Sequence, residues 1–102
     1  MNETQLKNRT KSFAKEIITL CRKLPANKEG ILIGNQIFRS GTSVAANYRA
    51  ACRTKSGADF IAKLAIVEEE ADGTLFWLDI IKEMGFLIYQ PLKALLRKAM
   101  KS

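Results

Sequence analysis

The feature that most constrains the fold is the helical spacing of apolar residues in three long segments separated by short breaks. In residues 3–24, one set of apolar side chains falls within about sixty degrees at one hundred degrees per residue, which is typical of a helix with one buried side. The set comprises Leu6, Phe13, Ile17, Leu20 and Leu24. Pro25 then ends the helix, because proline lacks the amide hydrogen that the hydrogen-bond ladder needs.

A second helix is predicted from an N-cap at Asn27 to about residue 53. Its core side carries Ile33, Ile37, Val44, Tyr48 and Ala51. Residues 40–43 read Ser-Gly-Thr-Ser and are poor helix formers, so a continuous helix here requires stabilisation by tertiary packing.

The small residues in the centre of this second helix allow another helix to approach closely. We therefore expect Ser40, Thr42 and Asn47 to have structural roles, through close helix packing and buried hydrogen bonds.

A third helix is predicted over about residues 57–84, with a start resembling a capping box at Ser56 and Asp59. One apolar stripe comprises Phe60, Leu64, Val67, Ala71, Leu75 and Leu78, and a second, on the far side, comprises Ile66, Trp77 and Ile80. A helix that is apolar on two faces must be covered on both, so the chain is expected to form an oligomer.

Gly85 is the expected stop of the third helix, and Pro91 is placed for the first turn of a short fourth helix. That helix would carry Leu92, Leu95, Leu96 and Ala99. Because the connections are short, neighbouring helices are expected to be antiparallel. The sequence thus predicts an all-α, antiparallel up-down four-helix bundle, with residues 1–102 forming a single domain.

Several enzyme classes are excluded by composition. The 102 residues include no histidine, which removes the commonest general base at neutral pH and every Ser-His, Cys-His or Glu-x-x-His arrangement. No GxxxxGK[ST] phosphate loop and no GxGxxG motif after a strand are present. We expect a protein that is not an enzyme and that uses neither a cofactor nor a catalytic metal.

Cellular location is indicated by the cysteines and the N-terminus. Cys21 and Cys52 lie in apolar helical patterns with no CxxC pair, so both are interpreted as reduced packing residues. The lysine-rich N-terminal stretch resembles neither a secretory signal nor a membrane span. A cytoplasmic protein without membrane contact is expected.

Charge is unevenly distributed along the chain, whose formal net charge is +7. The net charge is +4 for residues 1–24, +4 for 25–55, −5 for 56–88 and +4 for 89–102. The acids of the third helix, Glu68, Asp72, Asp79 and Glu83, share one face and are interpreted as a solvated face or as partners of the basic segments. A divalent-metal site is the remaining alternative, because hard cations favour convergent oxygen ligands. Glu70 projects near Ile66 and Trp77, so it must be paired if that face is covered.

The basic residues of the second helix form a stripe opposite its core side. The stripe comprises Lys28, Asn35, Arg39, Thr42, Ala46, Arg49 and Arg53. One hypothesis is that Arg39, Arg49 and Arg53, with Lys55 just beyond, contact successive phosphates of RNA or DNA. The alternatives are a merely solvated face, or ion pairs with the acids of the third helix in a neighbouring subunit.

Residues 36–78 carry a specific similarity. The run RSGTSVAAN and the later elements K-L-x-I, E-A and W-L resemble the bacterial four-helix-bundle family whose best-known members are encoded by intervening sequences in 23S rRNA genes. The accessory variability proteins of diversity-generating retroelements are similar in fold. Two family acids are absent, because Ala50 and Gly73 stand at their positions, and any role of those acids does not transfer.

The resemblance implies a homopentamer of bundles around a central channel, without known catalytic activity. In the retroelement relatives it also implies binding to nucleic acid and to a reverse transcriptase. The resulting hypothesis is a basic homo-oligomer that binds RNA or DNA through the phosphate backbone, with a protein partner such as a reverse transcriptase. In this hypothesis a further set of residues maintains the structure or the oligomer, namely Ser40, Thr42, Asn47, Glu70 and Trp77. The alternative is a protein-interaction or scaffold module with no nucleic-acid role.

Overall fold

The computed structural model describes residues 2–86, which form three α-helices and no strand. The helices are α1 (Glu3–Cys21), α2 (Lys28–Ala51) and α3 (Gly57–Glu83). This confirms the all-helical class for the described part of the chain. The predicted fourth helix, starting at Pro91, lies outside the described residues.

Each helix begins at a polar side chain that accepts a hydrogen bond from a first-turn backbone N–H, which otherwise has no partner within the helix. The predicted caps Asn27 and Ser56 fill this role for α2 and α3. At α1 the sequence reading missed a complete capping box, in which Asn2 and Gln5 each accept a hydrogen bond from the other's backbone N–H. At the other end of α3, Gly85 has a φ of 70°, which a glycine adopts without steric cost and which fits the predicted stop.

Two helix ends come earlier than expected. α1 ends at Cys21 instead of residue 24, because Lys23 and Leu24 donate their amides to carbonyls three residues back, in a tight turn. The residue before a proline is also biased away from helical backbone angles, and Pro25 follows directly. α2 ends at Ala51 instead of residue 53, again through bonds to carbonyls three residues back.

α2 packs against both α1 and α3. The close contacts pair Gly41 with Ile17 of α1 and Ser40 with Thr74 of α3. Ile17 meets Gly41 while Cys21, further along α1, bonds to Gly34, earlier in α2, so α1 and α2 are antiparallel. The end of α2 lies beside the start of α3, so these two helices are antiparallel as well. The centre of α2 is unbroken, and its small residues Ser40 and Gly41 contact both neighbouring helices.

The buried core draws on all three helices. Its cluster comprises Phe13, Ile17, Leu20, Ile37, Leu78 and Ile81. The core side of α3 differs from the predicted stripe: Leu78 is buried, but Phe60 is 36% exposed, while Thr74 and Ile81 are fully buried. Periodicity alone missed Thr74, because a polar residue does not contribute to an apolar stripe.

Candidate nucleic-acid interface

A groove with basic walls runs between the first half of α1 and the last half of α2, with a volume of about 510 Å³. Lys7 and Lys11 line it from α1, and its other wall carries Arg49 of α2 and Arg53 of the turn that follows α2. Between them lie the small side chains of Thr42, Ala45 and Ala46. We call this feature the basic groove.

The antiparallel packing of α1 and α2 brings these four cations together. The start of α1 lies beside the end of α2, although the two segments are about forty residues apart in sequence. Lys7 and Lys11 are four residues apart within α1, which places them on the same face, one turn apart. Arg49 lies in the last turn of α2, and Arg53 lies in the turn that follows the end of α2 at Ala51. Each wall of the groove therefore carries one pair of cations.

Three of the four cations have no acidic partner in the described part of the chain. Lys7 lies 3.3 Å from Glu3 in an exposed pair one helical turn apart. No ion pair among residues 2–86 involves Lys11, Arg49 or Arg53. Positive charges that converge without carboxylates raise the local potential, so the groove attracts anions.

The structure divides the four predicted phosphate-binding residues among three places. Arg49 and Arg53 line the basic groove, whereas Arg39 faces α3 and Lys55 lines a separate depression. Sequence reasoning missed Lys7 and Lys11. Their spacing of four residues in a basic N-terminal helix was the available signal, but only the packing of α1 on α2 links them to the arginines.

Arg39 pairs with Glu70 of α3. Its Nη1 donates to both carboxylate oxygens, at 3.2 Å each, with the Glu70 side chain 21% exposed. Glu70 was expected to need a partner if its face is covered, and that partner is Arg39 of the same chain. Arg39 is thereby turned toward α3, although its own side chain is 61% exposed.

The depression lined by Lys55 has a volume of about 300 Å³ and lies where the first turn of α1, the end of α2 and the start of α3 meet. Tyr48 and Cys52 also line it. Burial of the phenol, followed by its hydrogen bond with Cys52, raises the pKa of Tyr48 to about 12. Tyr48 therefore stays neutral at physiological pH.

Ser40 and Thr74 form a buried polar contact between α2 and α3. The hydroxyl of Thr74 lies 2.9 Å from Oγ of Ser40 and 2.8 Å from the carbonyl oxygen of Glu70, while Ser40 donates to the carbonyl of Ile37 at 3.4 Å. Both side chains are almost completely buried. Every buried side-chain polar atom in the described part of the chain has a hydrogen-bond partner.

Thr42 and Asn47 form hydrogen bonds within α2, and these bonds are exposed at Thr42 and partly buried at Asn47, whereas buried hydrogen bonds were expected from the sequence. Thr42 donates to the carbonyl of Phe38 at 2.7 Å, and Asn47 donates to the carbonyl and hydroxyl of Ser43 at 3.0 and 2.8 Å. Trp77 packs, half-buried, against the core and makes an edge-to-face contact with Phe76, with ring centroids 4.9 Å apart.

The two cysteines and the acids of α3 do not line the basic groove. Cys21 and Cys52 are free thiols, and Cys21 donates to the carbonyl of Gly34 at 3.6 Å, with burial raising its pKa. The acids Glu68, Asp72, Asp79 and Glu83 are all exposed. Within residues 2–86, no group of three or more His, Cys, Asp or Glu side chains is placed to hold a metal ion. No described helix is long and apolar enough to cross a membrane.

Comparison with known proteins supports the family resemblance that was inferred from residues 36–78. Residues 2–101 match the family model described as 23S rRNA-intervening sequence protein. A solved structure from Bacteroides thetaiotaomicron, described as a protein with unknown function from the S23 ribosomal protein family, superposes with a TM-score of 0.90. The two chains are 31% identical, over 99% of this chain and 90% of the other. Among curated proteins, none matches the sequence.

Proposed function

This chain belongs to the family of 23S rRNA-intervening sequence proteins, and we propose that it is a homo-oligomer without enzymatic activity that binds RNA or DNA through the phosphate backbone. The basic groove is the binding surface. RNA is the first candidate ligand, because the family is named for a segment of an rRNA gene.

One observation carries this proposal: Lys11, Arg49 and Arg53 converge on one groove without a carboxylate partner in the described part of the chain. Solvent-exposed basic residues on a protein surface are usually interspersed with acidic residues. Here most acids of the described residues lie on α3, and Arg39 already pairs with one of them, Glu70. Glu3 of α1 pairs with Lys7, so Lys11, Arg49 and Arg53 remain available to an external anion.

Oligomer formation is supported by large apolar side chains that the described fold leaves exposed. They are Ile31, Leu32, Phe38, Phe60, Ile61, Ile66, Phe76 and Met84. We further propose that a fourth helix from Pro91 completes an antiparallel bundle and that five copies of the chain close into a ring. A ring repeats the basic groove in every subunit, so that weak sites act together on one long polyanion. We place this assembly in the cytoplasm, with a protein partner such as a reverse transcriptase where the gene context supplies one.

The test measures binding of a mixed-sequence RNA across a range of salt concentrations. We expect the logarithm of affinity to fall with the logarithm of salt concentration by about 0.7 to 0.9 per phosphate neutralised. The double variant Arg49→Gln/Arg53→Gln is expected to reduce both the affinity and this slope. Light scattering of the same samples checks that the oligomer remains intact.

Arg22→Gln/Lys28→Gln is the matched control. It removes the same charge from two exposed residues at the opposite end of the α1–α2 pair, so it should leave the salt slope nearly unchanged. Absence of binding to mixed RNA and DNA at low salt contradicts the proposal.

A scaffold module without a nucleic-acid role is the second candidate, and the Arg39–Glu70 pair favours it. That pair neutralises part of acidic α3 from within the chain, and the other cations would do the same across subunits. In that case Arg49→Gln/Arg53→Gln dissociates the oligomer, and the wild-type protein binds no polyanion.

A further inference from the structure

We infer that the basic groove holds one linear chain of phosphates and makes no contact with bases, so that it selects single strands over duplexes and accepts inorganic polyphosphate. The inference rests on the proposed function, because it concerns the same groove. It goes further by naming the chemistry recognised: a run of closely spaced phosphates on one flexible chain.

The first reason is that the cations line both walls of the groove. Lys7 and Lys11 face it from α1, and Arg49 of α2 and Arg53 of the turn after α2 face it from the other side. Lys7 and Lys11 are about 6 Å apart along α1, since each residue rises about 1.5 Å. A single chain lying between the walls is neutralised from both sides.

The second reason is the size of the groove, whose volume is about 510 Å³. A B-form duplex is a stiff body whose major groove alone is about 12 Å wide, so a whole duplex is too large to enter a space of this size. A duplex would touch only the rims of the groove and would lose contact with part of each wall.

The third reason is that the groove offers nothing to a base. Thr42, Ala45 and Ala46 lie between its walls, and none of its lining residues is aromatic, so bases have no surface on which to stack. The hydroxyl of Thr42 already donates to the carbonyl of Phe38 at 2.7 Å. The binding energy must come from phosphates, which inorganic polyphosphate supplies without bases or sugars.

The test is a competition measured by fluorescence anisotropy at low salt, with a labelled mixed-sequence single strand bound to the wild-type protein. The competitors are inorganic polyphosphate, the unlabelled strand and the duplex of the same sequence, all compared at equal phosphate concentration. We expect polyphosphate to displace the probe about as well as the unlabelled strand does. The duplex should compete about tenfold less well, a difference that corresponds to about 1.4 kcal/mol.

A second measurement detects polyphosphate binding as a change in the melting temperature of the protein. A ligand that binds only the native state raises the melting temperature. We expect this rise in the wild-type protein and in the control Arg22→Gln/Lys28→Gln. It should be lost in Lys11→Gln/Arg49→Gln, which removes one cation from each wall.

The outcomes separate this inference from the proposed function. Equal competition by duplex and single strand, or failure of polyphosphate to displace the probe, overturns the inference and leaves nucleic-acid binding intact. A polyphosphate shift that survives in Lys11→Gln/Arg49→Gln also overturns it. If polyphosphate stabilises the wild-type protein while no nucleic acid binds, the proposed function fails and the phosphate-chain site stands. If neither binds, both fail.

Discussion

Arg39 of α2 and Glu70 of α3 are joined by one guanidinium nitrogen that lies 3.2 Å from both carboxylate oxygens. The pair links two neighbouring helices close to the buried contact between Ser40 and Thr74. It also removes one arginine from the set available to an anion. The basic face of α2 therefore has two functions: part of it pairs with α3, and part of it lines the basic groove.

Arg39→Gln is expected to lower the free energy of unfolding by about 0.2 to 1 kcal/mol, because Arg39 is largely exposed and such pairs contribute little. A double-mutant cycle with Glu70→Gln, measured by urea unfolding, isolates the pair. RNA affinity should change far less than in Arg49→Gln. An equal loss of affinity in the two variants would make Arg39 a phosphate contact.

Gly41→Ala is expected to destabilise the fold by about 0.5 to 2 kcal/mol. The added Cβ would lie 2.8 to 3.1 Å from side-chain atoms of Ile17, which is fully buried and branched at Cβ. Overpacking of this kind outweighs the roughly 1 kcal/mol that alanine gains over glycine in a helix.

The matched control for that substitution is Gly73→Ala in α3, where a Cβ meets no atom within 4 Å. It should stabilise the protein by up to about 1 kcal/mol. Urea unfolding of both variants is the measurement. Equal effects at Gly41 and Gly73 would contradict the close approach of α1 and α2.

Thr74→Val is expected to cost about 0.5 to 1.5 kcal/mol, because it keeps the shape of the side chain but removes the buried hydroxyl that contacts Ser40 and the carbonyl of Glu70. In the double variant Ser40→Ala/Thr74→Val, both polar groups are absent. Its loss of stability should be smaller than the sum of the single losses, as expected for residues in direct contact. Strict additivity in thermal unfolding would show that the two hydroxyls do not interact.

Stability is expected to fall as the pH rises above about 10, partly through Tyr48. Its pKa is raised to about 12 in the folded protein, whereas an unfolded tyrosine has a pKa of about 10. The unfolded chain therefore loses this proton first. The contribution of Tyr48 to stability is complete below pH 10 and is lost between about pH 10 and 12.

Titration of the tyrosinate absorbance measures this pKa directly. Tyr89→Phe leaves Tyr48 as the sole tyrosine of the chain, so one titration near pH 12 is expected. A midpoint near pH 10 in the folded protein would contradict the burial of the phenol. Tyr48→Phe should show a weaker loss of stability between pH 10 and 12 than the wild-type protein.

The local sequence was sufficient to predict the three described helices and the residues at which they begin. Asn27, Ser56 and Gly85 act locally, through hydrogen bonds or backbone freedom within one turn, so their roles can be read without knowing the fold. The core positions Ile17 and Ile37 follow in the same way from the period of 3.6 residues. The RSGTSVAAN run likewise sufficed to identify the family, which the match over residues 2–101 confirms.

Which residues contact one another follows from the packing of the helices. Periodicity gives the face of a helix on which a side chain lies, but it does not give the residues that this face contacts. The packing of α2 against its neighbours pairs Arg39 with Glu70, buries Thr74 beside Ser40, and places Lys11 and Arg49 in the lining of the same groove. The contacting side chains are about thirty to forty residues apart in the sequence. Their combined packing energy selects one register between the helices, and a local sequence pattern gives no measure of that energy.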